Sequence, residues 1–310
     1  MYLKSMHKKW LEKKFRDRAL FDEPMSLHTS FRVGGNADAY ICPRNTEELT
    51  ELIKWAQNNQ TAYFIKGGGT NLLVKDKGIR GITIDLKKHF NEIDIKKKDG
   101  KKADITAMAG AKIASLCNIA IKYGFEGFEF AYGIPGTIGG AVSGNAGTAI
   151  GTIQNILNEI DILTQDCRIK RAVKEDINFS YRNLSVKEQP HPIIIKSFFT
   201  LNISEPHKVK KKAAEIIRER KKKQPTGSFC AGSFFKNPAC GRPAGALIEL
   251  AGLKGEIIGD AMISEKHANF IINRSNATAA QILELAELVK NRVKERFSIN
   301  LEFEVKIVGE

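Results

Sequence analysis

GIPGTIGGAVSGNAG, residues 133–147, is the stretch on which the fold turns, and the run from Gly133 to Gly151 holds seven glycines in nineteen residues. Glycines after an apolar segment let the backbone turn sharply and aim several N–H groups at one anion, with no basic side chain required. A second cluster, KGGGTN at Lys66–Asn71, follows the strand-like TAYFI. Neither is a standard nucleotide loop. Leu72 stands where a G-x-G-x-x-G would place its last glycine, and no G-x-x-x-x-G-K-[ST] occurs in the chain. Either cluster alone also fits a flexible loop. Two clusters, each running into apolar residues and each holding an asparagine (Asn71, Asn145), favour a long phosphate-bearing cofactor gripped from two sides. Flavin adenine dinucleotide (FAD) fits such a groove.

Working outward, residues 1–24 read as an amphipathic opening helix, with no uninterrupted apolar segment and no small-residue cleavage site of the kind a secretory signal carries. NADAYICP predicts a strand ending at Pro43, and NTEELTELIKWAQNNQ a helix capped by Thr46. GITIDL predicts a strand, Asp99-Gly100 a hairpin turn, and IASLCNIAIKYG a helix closed by Gly124. NEIDILT, CRIKRAV and PIIIKSFFTLNI read as strands. A basic helix, HKVKKKAAEIIRERKKK, ends at a boundary marked by Gln224-Pro225. Beyond it come a short helix (PAGALIELAG), apolar strands near Ile257 and Phe270–Ile272, and a long helix from Thr278 with Ile282, Leu285, Val289 and Val293 on one face. LEFEVKIV closes the chain as a strand, whose alternation sets Leu301, Phe303 and Val305 on one side and Glu302 and Glu304 on the other. Helices and strands mix without strict βαβ alternation, which predicts an α+β protein.

The 310 residues carry a formal charge of +14, which invites a nucleic-acid reading. Its distribution argues otherwise. The lysines of IKKKDGKKADI splay from a hairpin tip, those of the basic helix lie on its outer faces around Ala213, Ile216 and Ile217, and no aromatics interleave with them as base-stacking platforms require. A small anionic ligand would use a few of these charges and leave the rest solvated. No apolar run approaches the roughly 18 residues of a membrane span. Five cysteines (Cys42, Cys117, Cys167, Cys230, Cys240) include no C-x-x-C pair, so neither a metal site nor a disulfide framework is expected, and the cytoplasm is the natural compartment.

The ordered motifs HTSFRVGGNAD, KGGGTNLLV, GFEFAYGIPGTIGGAVSGNAG, FSYRN, GSFFKNP, AGLKGEIIGDAMISEKHANFIIN and LEFEV run from His28 to about Val305. In that order they resemble the UDP-N-acetylenolpyruvoylglucosamine reductase (MurB) family of peptidoglycan synthesis. The short spacing after Tyr181-Arg182 is similar to the family's shorter type, which lacks an extra tyrosine-bearing loop. The resemblance implies an FAD-binding fold of the vanillyl-alcohol-oxidase type and a C-terminal α+β substrate-binding domain. Residues 1–24 would form the opening helix, 25–204 the FAD-binding domain with two subdomains split near residue 66, and 205–310 the substrate-binding domain. A return of the last strand to the first subdomain stays open. The implied reaction is NADPH-dependent, FAD-mediated reduction of UDP-N-acetylglucosamine enolpyruvate to UDP-N-acetylmuramate. The expected partners are the UDP-sugar and NADPH, with no nucleic acid and no membrane insertion, in a monomer.

Carried over residue by residue, the resemblance implies three catalytic residues. Arg182 in SYRN would hold the enolpyruvyl carboxylate, Glu304 in LEFEV would donate a hydrogen bond to its developing charge, and Ser233 would give the proton. Strand alternation by itself leaves both Glu302 and Glu304 open. The cofactor residues would be Lys66, Gly67, Gly68, Gly69, Thr70, Asn71 and Leu72 in the first cluster, with Gly133, Ile134, Pro135, Gly136, Thr137, Gly139, Gly140, Ala141, Asn145 and Gly147 in the second. Tyr181, Lys223, Lys236 and Asn237 would meet the substrate, and His267 occupies a family position that a structural histidine fits equally well. Leu184 stands where the family commonly has serine. Gly227-Ser228-Phe229 duplicates Gly232-Ser233-Phe234, but only the second copy continues into Phe235-Lys236-Asn237-Pro238. Two rival classes are another FAD-linked oxidoreductase of the same fold and, from outside enzymology, a basic nucleic-acid-binding protein.

Overall fold

The computed structural model describes residues 3–98, 100–187, 189, 192–239 and 241–310. Its first helix, α1 (Ser5–Phe15), is shorter than the helix expected over 1–24. A 3₁₀ turn at Arg16–Arg18 follows it, and Ala19–Pro24 form strand β1, paired antiparallel with β2 (Asn36–Ile41). Pro24 explains part of the difference, because a ring without an N–H is tolerated at the end of an edge strand but not inside a helix. Helix α2 (Thr46–Asn58) is capped by Asn45, not Thr46: the Asn45 Oδ1 accepts the Glu48 N–H at 2.9 Å. Its Leu49, Leu52, Ile53 and Ala56 are fully buried. Next come β3 (Tyr63–Lys66), β4 (Leu72–Val74) and β5 (Ile79–Asp85). The first sheet has the order β1-β2-β5-β3, with β2 and β3 both parallel to β5.

The second sheet starts with β6 (Ile93–Lys98) and β7 (Lys102–Met108), which pair antiparallel. Of the turn expected between them, Asp99 lies outside the described residues. Helix α3 (Ile113–Tyr123) is closed by Gly124 in the left-handed conformation, φ 74°. After β8 (Phe125–Glu126), the glycine-rich run folds into the short helix α4 (Ile138–Ser143) and a two-residue ladder, β9 (Gly147–Thr148) with β10 (Gly151–Thr152). Then follow β11 (Leu157–Leu163), β12 (Ile169–Val173), the hairpin β13 (Ile177–Ser180) and β14 (Asn183–Val186), and β15 (Ile193–Ile203). The antiparallel order is β12-β11-β15-β7-β6, with β8 also on β15.

The basic helix is α5 (Pro206–Lys223), and its Val209 and Ala213 are buried in the same core as α3 and both sheets. It therefore packs with the first unit, although the expected boundary at residue 205 assigns it to the second. The C-terminal unit holds α6 (Ala244–Leu250), the meander β16 (Ile257–Ile258), β17 (Ala261–Ile263) and β18 (Ile271–Asn273), and α7 (Ala279–Phe297). Thr278 caps α7 reciprocally with Gln281. The α7 residues Ile282, Leu285, Val289 and Val293 are all buried, each worth about 1.5–3 kcal/mol of transfer free energy.

The closing strand differs from its expected span. Only β19 (Lys306–Val308) forms a ladder, and it pairs parallel with β4. Residues 301–305 instead run beside the Phe234–Lys236 segment, through Phe235–Phe303 pairing and bonds from Glu304 N to Phe234 O and Lys236 N to Glu302 O, both 2.9 Å. The alternation that put both glutamates on one face does not hold there. The Glu302 side chain is 75% exposed and bonded to Lys236, whereas Glu304 is 14% exposed and turned inward.

Candidate functional site

A cavity of about 590 Å³ lies between the two glycine clusters and the C-terminal unit. Its first wall is the loop from Lys66 to Leu72. Buried Lys66 does not aim its ammonium at the cavity. It donates to Asp85 Oδ2 (3.1 Å), Tyr40 Oη (3.2 Å) and Gly67 O (3.0 Å), and Tyr40 in turn donates to Asp85. Burial pulls the Lys66 ammonium below its usual pKa against the attraction of Asp85, and burial reinforced by Asp85 drives the Tyr40 phenol far up. This buried network pins the start of the loop. It escaped sequence reading because its partners lie 26 and 19 positions away.

Two glycines explain why the loop takes its path. A Cβ on Gly67 would lie 2.3 Å from Thr137 Oγ1, so the two clusters approach more closely than any side chain permits. Gly69 has φ +66°, and a Cβ there would strike the His28 carbonyl at 2.1 Å. At the far end, Asn71 Nδ2 donates to Glu304 O (3.0 Å), and Asn71 O accepts from Lys306 N (3.1 Å). Asn71 thus ties the loop to the segment carrying Glu304.

The opposite wall includes Ile134, Pro135, Gly136, Thr137, Gly140, Ala141 and Gly147. Three residues expected in it lie elsewhere. Gly139 packs on Ala109, where a Cβ would come within 2.7 Å of the Ala109 Cβ. Gly133 faces the Arg220 side chain. Asn145, buried with φ 38°, accepts from Gln154 N (3.2 Å) and donates to Ser180 O (3.4 Å), so it supports the hairpin turn that holds Arg182.

Arg182, Ser233 and Glu304 meet on this cavity from three distant segments. Arg182 occupies the β13–β14 turn with φ 56°, a left-handed backbone that costs a non-glycine residue roughly 1 kcal/mol or more. Its Nε donates to Glu304 Oε1 at 2.7 Å and its Nη1 to Gly147 O at 3.3 Å. Burial lifts the Glu304 carboxyl above the usual range, outweighing the opposing pull of Arg182 and Lys236. Ser233 sits just before Phe234 and Phe235, which are 0% and 1% exposed. Asn269, also buried, accepts from Phe235 N (2.9 Å) and donates to Phe235 O (2.8 Å), holding that segment from the other side. Leu184 is buried in the hydrophobic core of the first unit.

The expected substrate residues sit outside the cavity wall. Asn237 N donates to Tyr181 Oη at 3.4 Å, and Asn237 Oδ1 accepts from Ala244 N, the first residue of α6. Lys236 pairs with Glu302 at 3.0 Å. Lys223 is exposed at the end of α5, while Arg220 and Gln224 of that helix segment line the cavity, with Arg220 Nη2 donating to Gln224 Oε1 at 3.2 Å. A sequence signal for Arg220 existed: Val209, Ala213, Ile216/Ile217 and Arg220 recur at three to four residues on one stripe, whereas Gln224 is the extended residue that caps the helix. His267 accepts the Asn269 N–H on Nδ1 (3.2 Å) and lies against Phe270, consistent with its structural reading. Burial pushes the Cys230 thiol up, away from thiolate character, and Cys240 lies outside the described residues.

The walls suit a pyrophosphate-bearing cofactor. The N–H groups of Gly68, Gly69 and Thr70 find no acceptor among the described residues. Thr137 Oγ1 and Thr148 Oγ1, on cavity-lining residues, are buried without a partner. Buried donors of this kind call for an acceptor, and a diphosphate offers several. Residues 37–172 match the family model of an FAD binding domain. A VAO-type flavoprotein from Myceliophthora thermophila C1 shares the fold at TM-score 0.50 and 12% identity, over 98% of this chain and 64% of that one. Fold and site together define an FAD-binding α+β protein with the fold of that VAO-type flavoprotein.

Residues 224–308 match the family model of the UDP-N-acetylenolpyruvoylglucosamine reductase C-terminal domain. A UDP-N-acetylenolpyruvoylglucosamine reductase of Desulfosudis oleivorans is 46% identical over 308 residues, 98% of each chain. One of Clostridium botulinum is 42% identical over 294 residues, 95% of this chain and 94% of that one. The crystal structure of the Thermus caldophilus MurB superposes at TM-score 0.78 with 32% identity, covering 94% of this chain and 98% of that one. The chain belongs to the UDP-N-acetylenolpyruvoylglucosamine reductase family.

Proposed function

We infer that this chain reduces the enolpyruvyl ether of UDP-N-acetylglucosamine enolpyruvate to the lactyl ether of UDP-N-acetylmuramate in peptidoglycan synthesis, with NADPH as reductant. The observation that supports the residue roles is the convergence of Arg182, Ser233 and Glu304 on the cavity that both glycine clusters line. FAD, when bound, supplies the hydride that adds to the methylene carbon. Gly68, Gly69 and Thr70 would hold its pyrophosphate through their backbone N–H groups, with the Thr137 hydroxyl opposite.

As the hydride arrives, charge builds on the substrate carboxylate. Arg182 is placed to meet it with a guanidinium fork, and Glu304, whose carboxyl burial raises above its usual pKa, would donate to the same oxygens when protonated. The Ser233 hydroxyl gives its proton to the adjacent carbon and recovers one from solvent, so hydride and proton together saturate the double bond. Tyr181, Lys236 and Asn237 form one connected rim that would receive the nucleotide portion. Arg220 and Gln224 would serve that end of the cavity from α5, with Lys223 at its margin. The reading includes a cytoplasmic monomer. Among the described residues, no helix is long and apolar enough to cross a membrane.

The test is anaerobic. After NADPH has reduced the holoenzyme, addition of UDP-N-acetylglucosamine enolpyruvate should restore the oxidised flavin spectrum. A flavin that stays reduced overturns the assigned reaction.

A further inference from the structure

A second cavity, of about 660 Å³, opens where α1 ends, and it shares no lining residue with the first. Its cations come from separate parts of the chain: Lys13 and Lys14 from α1, Arg16 and Arg18 from the turn after it, and Arg44 from the loop before α2, set against two lining carboxylates, Asp17 and Glu48. Two of the cations are already engaged. Lys14 pairs with Glu51 at 2.6 Å, and Arg18 holds Glu48 through both terminal nitrogens (2.5 and 3.1 Å). Glu48 also accepts the Arg44 N–H at 2.8 Å, so that carboxylate is saturated. The exposed side chains of Lys13, Arg16 and Arg44 have no acidic partner among the described residues.

Helix electrostatics accounts for only part of this set. Lysines in the last turn of α1 offset the negative end of its dipole, but Arg44 stands one residue before the Asn45 cap of α2, an end that repels cations and attracts anions. Arg16 holds φ 51°, at a helix terminus where glycine is the usual residue. Arg18, a lining residue, is 6% exposed, and its Nε is buried without a partner beneath the cavity. Trp10, on the cavity wall, lies flat on Trp55 with ring centroids 4.5 Å apart and an interplanar angle of 7°, a rigid aromatic side to a cationic pocket.

We propose that this cavity binds a phosphorylated small molecule through its phosphate or pyrophosphate group, at a site separate from the flavin cavity. Arg16 and Arg44 supply forked donors to the phosphate oxygens, Lys13 adds charge, and Trp10 faces whatever the phosphate carries.

Trp10 and Trp55 are the two tryptophans of the chain, so intrinsic fluorescence reports on this cavity. FAD-loaded enzyme, its active site saturated with UDP-N-acetylmuramate, is titrated with inorganic pyrophosphate and, separately, with ADP. A saturable fluorescence change is expected, weakened at least about tenfold by Arg16→Ala or Arg44→Ala, the scale of one charge-assisted hydrogen bond. Equal affinity for the two probes identifies free pyrophosphate as sufficient. Tighter ADP binding that is lost in Trp10→Leu identifies a nucleotide. Both arginines are exposed, so their variants should keep the parent melting temperature. The proposal falls if neither probe saturates by roughly 10 mM, weaker than any site of use at cellular concentrations, or if both arginine variants titrate like the parent.

Discussion

Gly227-Ser228-Phe229 and Gly232-Ser233-Phe234 have the same sequence and open on glycines of the same conformation. Their glycines have φ of 80° and 78°, with nothing within 4 Å of an added Cβ in either. Each copy also leans on a buried asparagine: Phe229 O accepts from Asn273 N at 2.8 Å, and Phe234 N donates to Asn269 O at 2.8 Å. Yet Ser228 is exposed, and Ser233 lines the cavity. What separates them is the residue that follows each triplet. Phe235 is 1% exposed and, with Phe234, locks its segment between Asn269 and residues 302–305. In the first copy Cys230 and Ala231 make no such clamp. A hydroxyl acquires its role here from what holds the neighbouring backbone, not from the triplet that contains it.

The largest expected contrast is chemical. Ser233→Ala should slow flavin reoxidation by substrate about 10²–10⁴-fold, the range for a lost general acid, while reduction by NADPH stays near normal. Ser228→Ala should change neither rate. Equal losses in the two variants, measured by anaerobic stopped flow, would break the comparison.

Next comes the carboxyl that faces Ser233's cavity. Glu304→Gln keeps a hydrogen-bond donor, so a smaller loss than Ser233→Ala is expected in the same half-reaction. It also tests the raised pKa. Since folding lifts this carboxyl above the unfolded value of 4.5, its contribution to stability is full below that value and is lost as pH rises through the folded pKa. The melting temperature of Glu304→Gln relative to the parent should therefore climb from pH 4.5 upward and then level off. A flat difference would remove the premise that Glu304 donates.

The asparagines separate stability from chemistry. Asn269→Ala and Asn273→Ala each strand buried backbone groups and should cost about 1–3 kcal/mol by urea titration. Only Asn269→Ala should also slow substrate reduction in the surviving folded enzyme. The smallest effects belong to the glycines. Gly227→Ala and Gly232→Ala should each lose about 1 kcal/mol from left-handed strain, with activity reduced in the second alone.

What the sequence revealed follows the range of the interaction that decides each feature. The glycine clusters, the Gly124 helix end and the buried face of α7 were legible because each depends on neighbours within a few residues. The choice between Asn45 and Thr46 as a cap was not, because both residue types cap well and one hydrogen bond decides. LEFEVKIV failed as a single strand for a different reason. Alternation presumes one continuous ladder, and residues 301–305 pair with a segment near Phe234 while 306–308 pair with β4. That same switch directs Glu304 inward and Glu302 outward. The convergence of Arg182, Ser233 and Glu304 came from resemblance, and the Lys66–Asp85–Tyr40 anchor and the Asn269 clamp escaped both routes.

The ladder between β4 and β19 also sets when the enzyme can become one. Asn71 and Glu304 are 233 positions apart, so the glycine loop gains its second anchor only after nearly the whole chain has been made. A nascent chain from which β19 has not yet emerged would hold every glycine of the loop without the strand that fixes its far end. Closing so long a loop is slow and comes late in folding. Flavin capture during synthesis should accordingly wait until Glu304 and β19 can reach the loop.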